Sequence, residues 1–437
     1  AMSSARGEWR FAAAAATAVV VCVTATLCAV PDRVALVLEA AASVLRSRRA
    51  SKKEKPIRVY MDGCFDLAHF GHANALRQAK LCGDVLVVGL IPDAEVVRCK
   101  GPPVLRERER RAVIETVKWV DEIIENVPYD LTPEFCATLY EKHGIDFIVH
   151  GDDPCLLPNG ADAYDAPKKQ GKFKMIKRTE GVSTTAIVDR ILWAAQCDEK
   201  NGKRKTLGDD AGDEKNENKT EKPPVCQNRF LATARRIAQF SAGTRPIPKH
   251  AVVVYVHGAF DLFNAGHVFL LREAKKLGDF LLVGIWDDEA VTNRHGKGHP
   301  VLTCQERALG VAACRLVDDV VIGVPREVGE DLLATFGVRV VLAEESEFGT
   351  ASSDSFESQT EKPLKSDANL VPKQHGLFRE LRTPEVGSAD ALTTTEIIKR
   401  VRENAAAYET RNARKNKAEA KYYEQKRNGT IELARET

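Results

Sequence analysis

The hydrophobic pattern alternates between two periods along the chain. A short apolar stretch at 57–61 (IRVYM) ends at the turn pair Asp62-Gly63 and predicts a buried strand. Residues 71–82 (GHANALRQAKLC) follow with helical spacing, and 85–91 (VLVVGLI) is a second apolar run. Strand, helix, strand with both strands apolar predicts a parallel sheet covered on each face. Helices at 106–117 and 133–143, with strands at 122–126 and 146–150, continue the alternation. The same succession starts again at 251 (AVVVYV), passes 280–285 (FLLVGI) and reaches 338–342 (VRVVL). The fold class expected is α/β, with two tandem Rossmann-like, doubly wound parallel-sheet domains. In such a fold the ligand crevice lies at the C-terminal ends of the strands.

The recurrence extends to individual residues. DGCFDLAHFGH (62–72) returns as HGAFDLFNAGH (257–267), so Gly63, Asp66 and His72 reappear 195 positions later as Gly258, Asp261 and His267. After a two-residue insertion the spacing becomes 197, pairing Lys100 with Lys297, Arg110 with Arg307 and Asp121 with Asp318. A match sustained this far is a duplication. One position breaks it, since Asn264 stands where the first copy has His69.

The remaining stretches set the boundaries. We expect an N-terminal segment at 1–55, a first domain at 56–196, a largely disordered linker at 197–247, a second domain at 248–401 and a charged helical tail at 402–437. The linker is expected to be disordered because 197–224 is polar and charge-dense. Residues 346–367, rich in Ser and Glu, read as a loop. The tail reads as an exposed helix because no broad apolar face is present. The run 11–30 carries no charge and is long enough for the ~20 residues that cross a bilayer core. Basic residues follow it (Arg46, Arg48, Arg49, Lys52, Lys53, Lys55), which favours an anchor that leaves the later domains in the cytosol, at the endoplasmic reticulum or the outer mitochondrial membrane. A cleaved signal or a transit peptide is the alternative. With 437 residues and a formal net charge of +2, the chain has no field suited to general nucleic-acid binding. Its eleven scattered cysteines, without a CxxC pair, argue against structural zinc and a disulfide framework.

Two motifs carry candidate chemistry. His69-Phe70-Gly71-His72 follows a predicted strand and opens a predicted helix. Gly71 lets backbone approach a phosphate, the helix start offers free N–H groups, and two imidazoles can donate to phosphoryl oxygens. The bland alternative is a pair of packed histidines, against which the strand–helix context and the duplication both argue. The second motif is Arg178-Thr179-Glu180-Gly181-Val182-Ser183-Thr184-Thr185, ahead of a helical pattern. Hydroxyls and N–H groups at a helix start, beside an arginine, suit an anion. An ordinary serine N-cap is the alternative.

These motifs, with KGPPV, KWVDEI and HGDDPCLLPNGADAY, resemble the cytidylyltransferase family of the HxGH nucleotidylyltransferase superfamily over about residues 56–410. The duplication and the N-terminal extension resemble its two-domain, plant and algal branch. The resemblance implies attack of phosphoethanolamine on the α-phosphorus of CTP, with Mg2+ bound alongside the CTP. Phosphocholine and glycerol 3-phosphate remain alternative acceptors, and a membrane-tethered, non-catalytic nucleotide-binding scaffold remains an alternative of another kind. By matching position, His69 and His72 would stabilise the transition state. Lys100 would neutralise phosphate, and Arg178, Ser183 and Thr184 would hold the outer phosphates. Asp66 would orient the site or help place the metal. Asp93, Asp152 and Asp153 would serve the amine, ribose or base, and Arg110 and Lys118 are further phosphate candidates. Gly63, Phe65, Gly71, Gly151, Thr179 and Gly181 complete the expected nucleotide and substrate contacts. No protein metal ligands are expected, and a homodimer is left open.

The second copy is expected to be silent. Asn264 can still donate a hydrogen bond but cannot carry the charge of an imidazolium, and that charge is the expected loss. His150-Gly151-Asp152-Asp153 becomes Ala343-Glu344-Glu345-Ser346, and the RTEGVSTT motif loses its arginine in 387–395. Asp261, Gly266, His267 and Lys297 remain, which leaves weak ligand binding open.

Overall fold

The computed structural model describes residues 55–206, 233–344, 367–381 and 384–427. In the first lobe the order is β1 (Arg58–Gly63), α1 (Phe70–Leu81), β2 (Val85–Leu90), α2 (Asp93–Cys99), α3 (Glu107–Ile114), β3 (Glu122–Glu125), α4 (Pro133–Glu141), β4 (Phe147–Gly151), α5 (Asp165–Lys169), β5 (Phe173–Ile176) and α6 (Thr184–Thr206). A short helix, α7 (Ala234–Phe240), precedes the second lobe. That lobe runs β6 (Val253–Gly258), α8 (Ala265–Lys275), β7 (Phe280–Trp286), α9 (Asp288–His295), α10 (Cys304–Ala312), β8 (Asp319–Val324), α11 (Glu330–Phe336), β9 (Val338–Glu344), α12 (Leu370–Gln374), β10 (Phe378–Leu381) and α13 (Thr394–Glu403). The chain then continues as α14 (Ala405–Arg427).

Each lobe holds a five-stranded parallel sheet, ordered β3-β2-β1-β4-β5 in the first and β10-β9-β6-β7-β8 in the second. The order reverses between β1 and β4, which opens a crevice at the ends of those strands. Apolar side chains on both faces of β1 and β2 explain why the strands read as runs rather than as alternation: Val59, Tyr60, Leu86, Val87 and Val88 are all buried. The edge strands β5 and β10, four residues each, escaped the sequence reading because FKMI and FREL are too short to carry a clear apolar period.

The lobes pack as near-copies related by an approximate two-fold. Val117 and its counterpart Cys314 form an antiparallel bridge. The Lys118 amide donates to the Ala313 carbonyl at 2.9 Å, and the Arg315 amide donates to the Thr116 carbonyl at 2.7 Å. Further out, Arg190 on α6 binds Glu306 on α10 through both nitrogens at 2.8 and 3.1 Å. Arg400 on α13 binds Glu109 on α3 the same way, at 2.7 and 3.1 Å. An apolar core spans this junction, with Phe70, Leu105 and Ile187 meeting Leu302, Leu309, Ile397 and Val401. Arg58–Thr437 accordingly forms one compact unit.

Two expected boundaries change. The linker expected from 197 to 247 is ordered at both of its described ends. Helix α6 continues to Thr206, and α7 buries Phe240 completely against Trp119, with ring centroids 5.4 Å apart. Residues 207–232 lie outside the described residues, as does 345–366, most of the expected 346–367 loop. The tail is not a free, solvated helix. Tyr408 and Asn412 of α14 are buried, and the helix docks back on the first lobe. Sequence patterning missed this because α14 is held largely by polar side chains rather than by an apolar stripe. Among the described residues no helix is long and apolar enough to cross a membrane. The run 11–30, expected to be an anchor, lies outside them.

Candidate active site

The turn at 64–69 joins β1 to helix α1, and His69 is the N-cap of that helix. The His69 Nδ1 accepts from the Gly71 amide at 3.1 Å, and the His69 amide faces the His72 Nδ1 at 3.5 Å. Each ring therefore turns a lone pair toward backbone, and its proton sits on Nε2. The rings stack with centroids 4.0 Å apart, and Phe65 meets His72 edge-on at 5.6 Å. Both histidines are held neutral. Burial pushes the His72 pKa down to about 3, helped by Lys100, Lys415 and Arg178, while burial and His72 hold His69 well below its usual value. The pair thus offers two neutral N–H donors beside the start of a helix.

Packing supplies a further reason for Gly71. A Cβ there would come within 2.8 Å of the Val182 side chain and 2.9 Å of the His69 ring, so the missing side chain makes room for the imidazole itself. Gly63 gives similar room to the Phe65 ring, and Gly151 to the Asp153 carboxylate. Phe65 and Leu67 adopt positive φ, 49° and 46°, and their counterparts Phe260 and Leu262 do so at 50° and 49°. This strained turn, retained in both lobes, aims the helix start at the crevice.

The candidate cations converge on these rings. Lys100 follows α2, with its Nζ 5.3 Å from the centre of the Tyr129 ring. Arg178 extends from the end of β5, its amide donating to Asp152 at 2.8 Å and its guanidinium 3.6 Å from Asp153. Gly181 turns the following loop with φ of 83°. Thr179 accepts from the Asn74 side chain at 2.8 Å, and Ser183 accepts from the Ala186 amide at 3.0 Å as the plain N-cap. Thr184 donates to the Asp66 carbonyl at 2.9 Å. The RTEGVSTT motif therefore ties its loop to α1 and β1 through hydroxyls, and Arg178 is the member left facing the crevice.

Four expected contacts prove to be scaffold. The Asp66 carboxylate is buried and accepts from the Val104 and Leu105 amides at 2.9 Å each. It orients the loop that carries Lys100. Arg110 is fully buried and spends its guanidinium on the Cys64 and Ile91 carbonyls and on Asp93, at 2.6–2.8 Å. Asp93, occupied by Arg110 and the Glu107 amide, pins α2 to α3. Lys118 donates to the Phe240 carbonyl at 2.6 Å, in the junction between the lobes. Polar residues near a motif look alike in sequence whether they face a ligand or hold a loop.

The sequence reading also overlooked residues. Asp62, at the crevice end of β1, accepts from the Tyr164 hydroxyl at 2.9 Å, and burial raises its pKa to about 6. The His150 ring lies over Tyr164, with centroids 4.3 Å apart. A signal existed for Asp62: the repeat places His257 opposite it, a mismatch as marked as Asn264 against His69.

In the second lobe the same crevice is filled. Trp286, opposite Ile91, is buried and donates to the His257 Nδ1 at 2.9 Å, while the His257 Nε2 meets Asn369 at 3.1 Å. Asn264 copies the capping role, accepting from the Gly266 amide at 3.0 Å. Its amide nitrogen still donates, to the Leu262 carbonyl at 3.1 Å, so this donor is turned inward. A Cβ on Gly266 would meet the Leu392 carbonyl at 2.2 Å, so backbone covers this helix start. Since the first-lobe rings are neutral, what the second lobe lacks is a donor pair rather than a charge. Lys297 is exposed. Of the Ala343–Ser346 stretch, Glu345 and Ser346 lie outside the described residues.

A parallel sheet with a donor pair at a helix start and cations around it defines a nucleotide-handling class. The cytidylyltransferase-like family matches residues 60–190 and again 255–400, and the chain belongs to that family. It is 45% identical to the ethanolamine-phosphate cytidylyltransferase of Arabidopsis thaliana, over 86% of this chain and 88% of that protein. It is 41% identical to the enzyme of the same name from Dictyostelium discoideum, over 85% of this chain and 98% of that one. Choline-phosphate cytidylyltransferase 2 of Arabidopsis thaliana is 44% identical over 33% of this chain and 47% of its own length.

Proposed function

We propose that the first lobe transfers the cytidylyl group of CTP to phosphoethanolamine. An oxygen of the phosphate acceptor bonds to the α-phosphorus, the bond to the β-phosphate oxygen breaks, and CDP-ethanolamine and pyrophosphate leave. The acceptor is already ionised, so no general base is required, and the work is positioning and charge stabilisation. His69 and His72 donate through Nε2 to phosphoryl oxygens as charge builds. Lys100 and Arg178 compensate the departing pyrophosphate, with Asp152 fixing the backbone of Arg178. Gly63, Phe65 and Gly71 hold the turn that presents the rings.

Mg2+ bound with CTP would supply further charge compensation at this site. Bound there, it would shield the leaving pyrophosphate. Asp153 is the carboxylate at hand, since Asp66 and Asp152 are engaged by backbone amides.

The observation that carries ethanolamine over choline is coverage. The ethanolamine-phosphate relatives match both lobes over 85–86% of the chain, and the choline-phosphate relative matches a third of it. The second lobe then serves as a structural partner with a filled crevice. The run 11–30 would anchor the assembly at a membrane facing the cytosol, at the endoplasmic reticulum or the outer mitochondrial membrane. The expected result is pyrophosphate release with CTP and phosphoethanolamine well above that with phosphocholine or glycerol 3-phosphate. A preference for either alternative acceptor would overturn the substrate assignment, and no release with any acceptor would leave the scaffold reading standing.

A further inference from the structure

We infer that Lys415, carried on helix α14 beyond the second lobe, is a phosphate-binding residue of the first lobe's site. This rests on the reading that the first-lobe crevice binds a nucleoside triphosphate. The helix crosses the site on fixed points. The Tyr408 hydroxyl donates to the Pro103 carbonyl at 3.2 Å, and Arg411 donates to the Pro102 carbonyl at 2.8 Å. Asn412 donates to Asp189 at 2.7 Å. Pro102 and Pro103 belong to the loop after Lys100. Gly101 in that loop has φ of 103°, and the Arg411 stem lies 3.4 Å from where its Cβ would stand.

One turn further along, Lys415 reaches the start of α6. Its Nζ lies 3.5 Å from the Thr185 hydroxyl and 3.6 Å from Glu419. Glu419 in turn lies 3.5 Å from Arg178. Burial lowers the Lys415 pKa, and Lys100 and Arg178 lower it further. Beyond the effect of burial, the Lys415 ammonium also lowers His69 and His72, so all five groups share one field. Three cations and two N–H donors meet beside a helix N-terminus, with Asp153 and Glu419 as their acidic neighbours. Such a concentration of like charge is costly without an anion and favourable around a polyphosphate. The partners of Lys415 are long contacts, which a phosphate oxygen could replace.

The test uses the full chain. Lys415→Ala, Lys415→Arg and, as a matched change on an exposed position of the same helix, Lys417→Ala are compared by calorimetric titration with CTP and with pyrophosphate, and by steady-state kinetics. Lys415→Ala is expected to weaken both ligands by about tenfold to a hundredfold, the worth of one charged hydrogen bond. The KM for CTP should rise while the KM for phosphoethanolamine holds, Lys415→Arg should recover most of the loss, and Lys417→Ala should match the wild type. Unchanged pyrophosphate and CTP affinity in Lys415→Ala, or an equal loss in Lys415→Arg, overturns the inference. Because the titrations need no turnover, failure of the acceptor assignment registers separately. Wild-type chain that binds neither CTP nor pyrophosphate would instead overturn the nucleotide-binding reading.

Discussion

At the scale of single residues, His69 and His72 combine two jobs that the sequence shows as one. Their Nδ1 atoms face the amides at the start of α1, and their Nε2 protons are left for a ligand. Burial keeps both rings neutral where an unfolded histidine titrates near 6.5. A histidine with a lowered folded pKa contributes stability that is full above 6.5 and is lost as the pH falls toward about 3 for His72. Asp62 acts in the opposite sense. Its contribution is full below 3.8 and lost as the pH rises through about 6. Nitrogen-detected NMR of the ligand-free protein at pH 6 should therefore show both imidazoles neutral and protonated on Nε2. Imidazolium signals at that pH would contradict the geometry. The HFGH motif announced these residues, but their tautomer and neutrality follow from packing against Gly71 and Val182, which no spacing rule reveals.

At the scale of elements, strands β1, β2, β6 and β7 were legible because burial on both faces requires continuous apolar runs. Helix α14 was legible as a helix but not as a wall of the site. It docks through Tyr408, Arg411 and Asn412, which bond to carbonyls and a carboxylate, and no hydrophobic period marks such a contact. Arg110 and Lys118 show the converse. They looked like phosphate ligands and instead bind backbone carbonyls. The helix pairs across the lobe junction follow the same logic. Glu109 and Glu306 are buried, and each depends on an arginine from the other lobe. Arg400→Met leaves the Glu109 carboxylate without its cation and should cost about 3–5 kcal/mol of stability, measured by denaturant unfolding. A loss of about 1 kcal/mol or less, typical of an exposed pair, would contradict the buried pairing of Glu109 with Arg400.

At the scale of the whole molecule, a duplication has become a division of labour. The approximate two-fold survives in the Val117–Cys314 bridge and in the reciprocal arginine pairs, so each lobe completes the other's surface. The symmetry fails at the two crevices. One gathers His69, His72, Lys100, Arg178 and Lys415. The other is filled by Trp286, His257 and Asn369, with the donors of Asn264 turned inward. The central claim is that the molecule has one working site. It is tested most directly by measuring turnover of His72→Ala and His267→Ala side by side in the full chain. Loss of the His72 donor should lower turnover by about 10²–10³, the worth of one transition-state phosphate contact, while His267→Ala keeps turnover near that of the unaltered protein. Comparable losses in the two variants would contradict a single site.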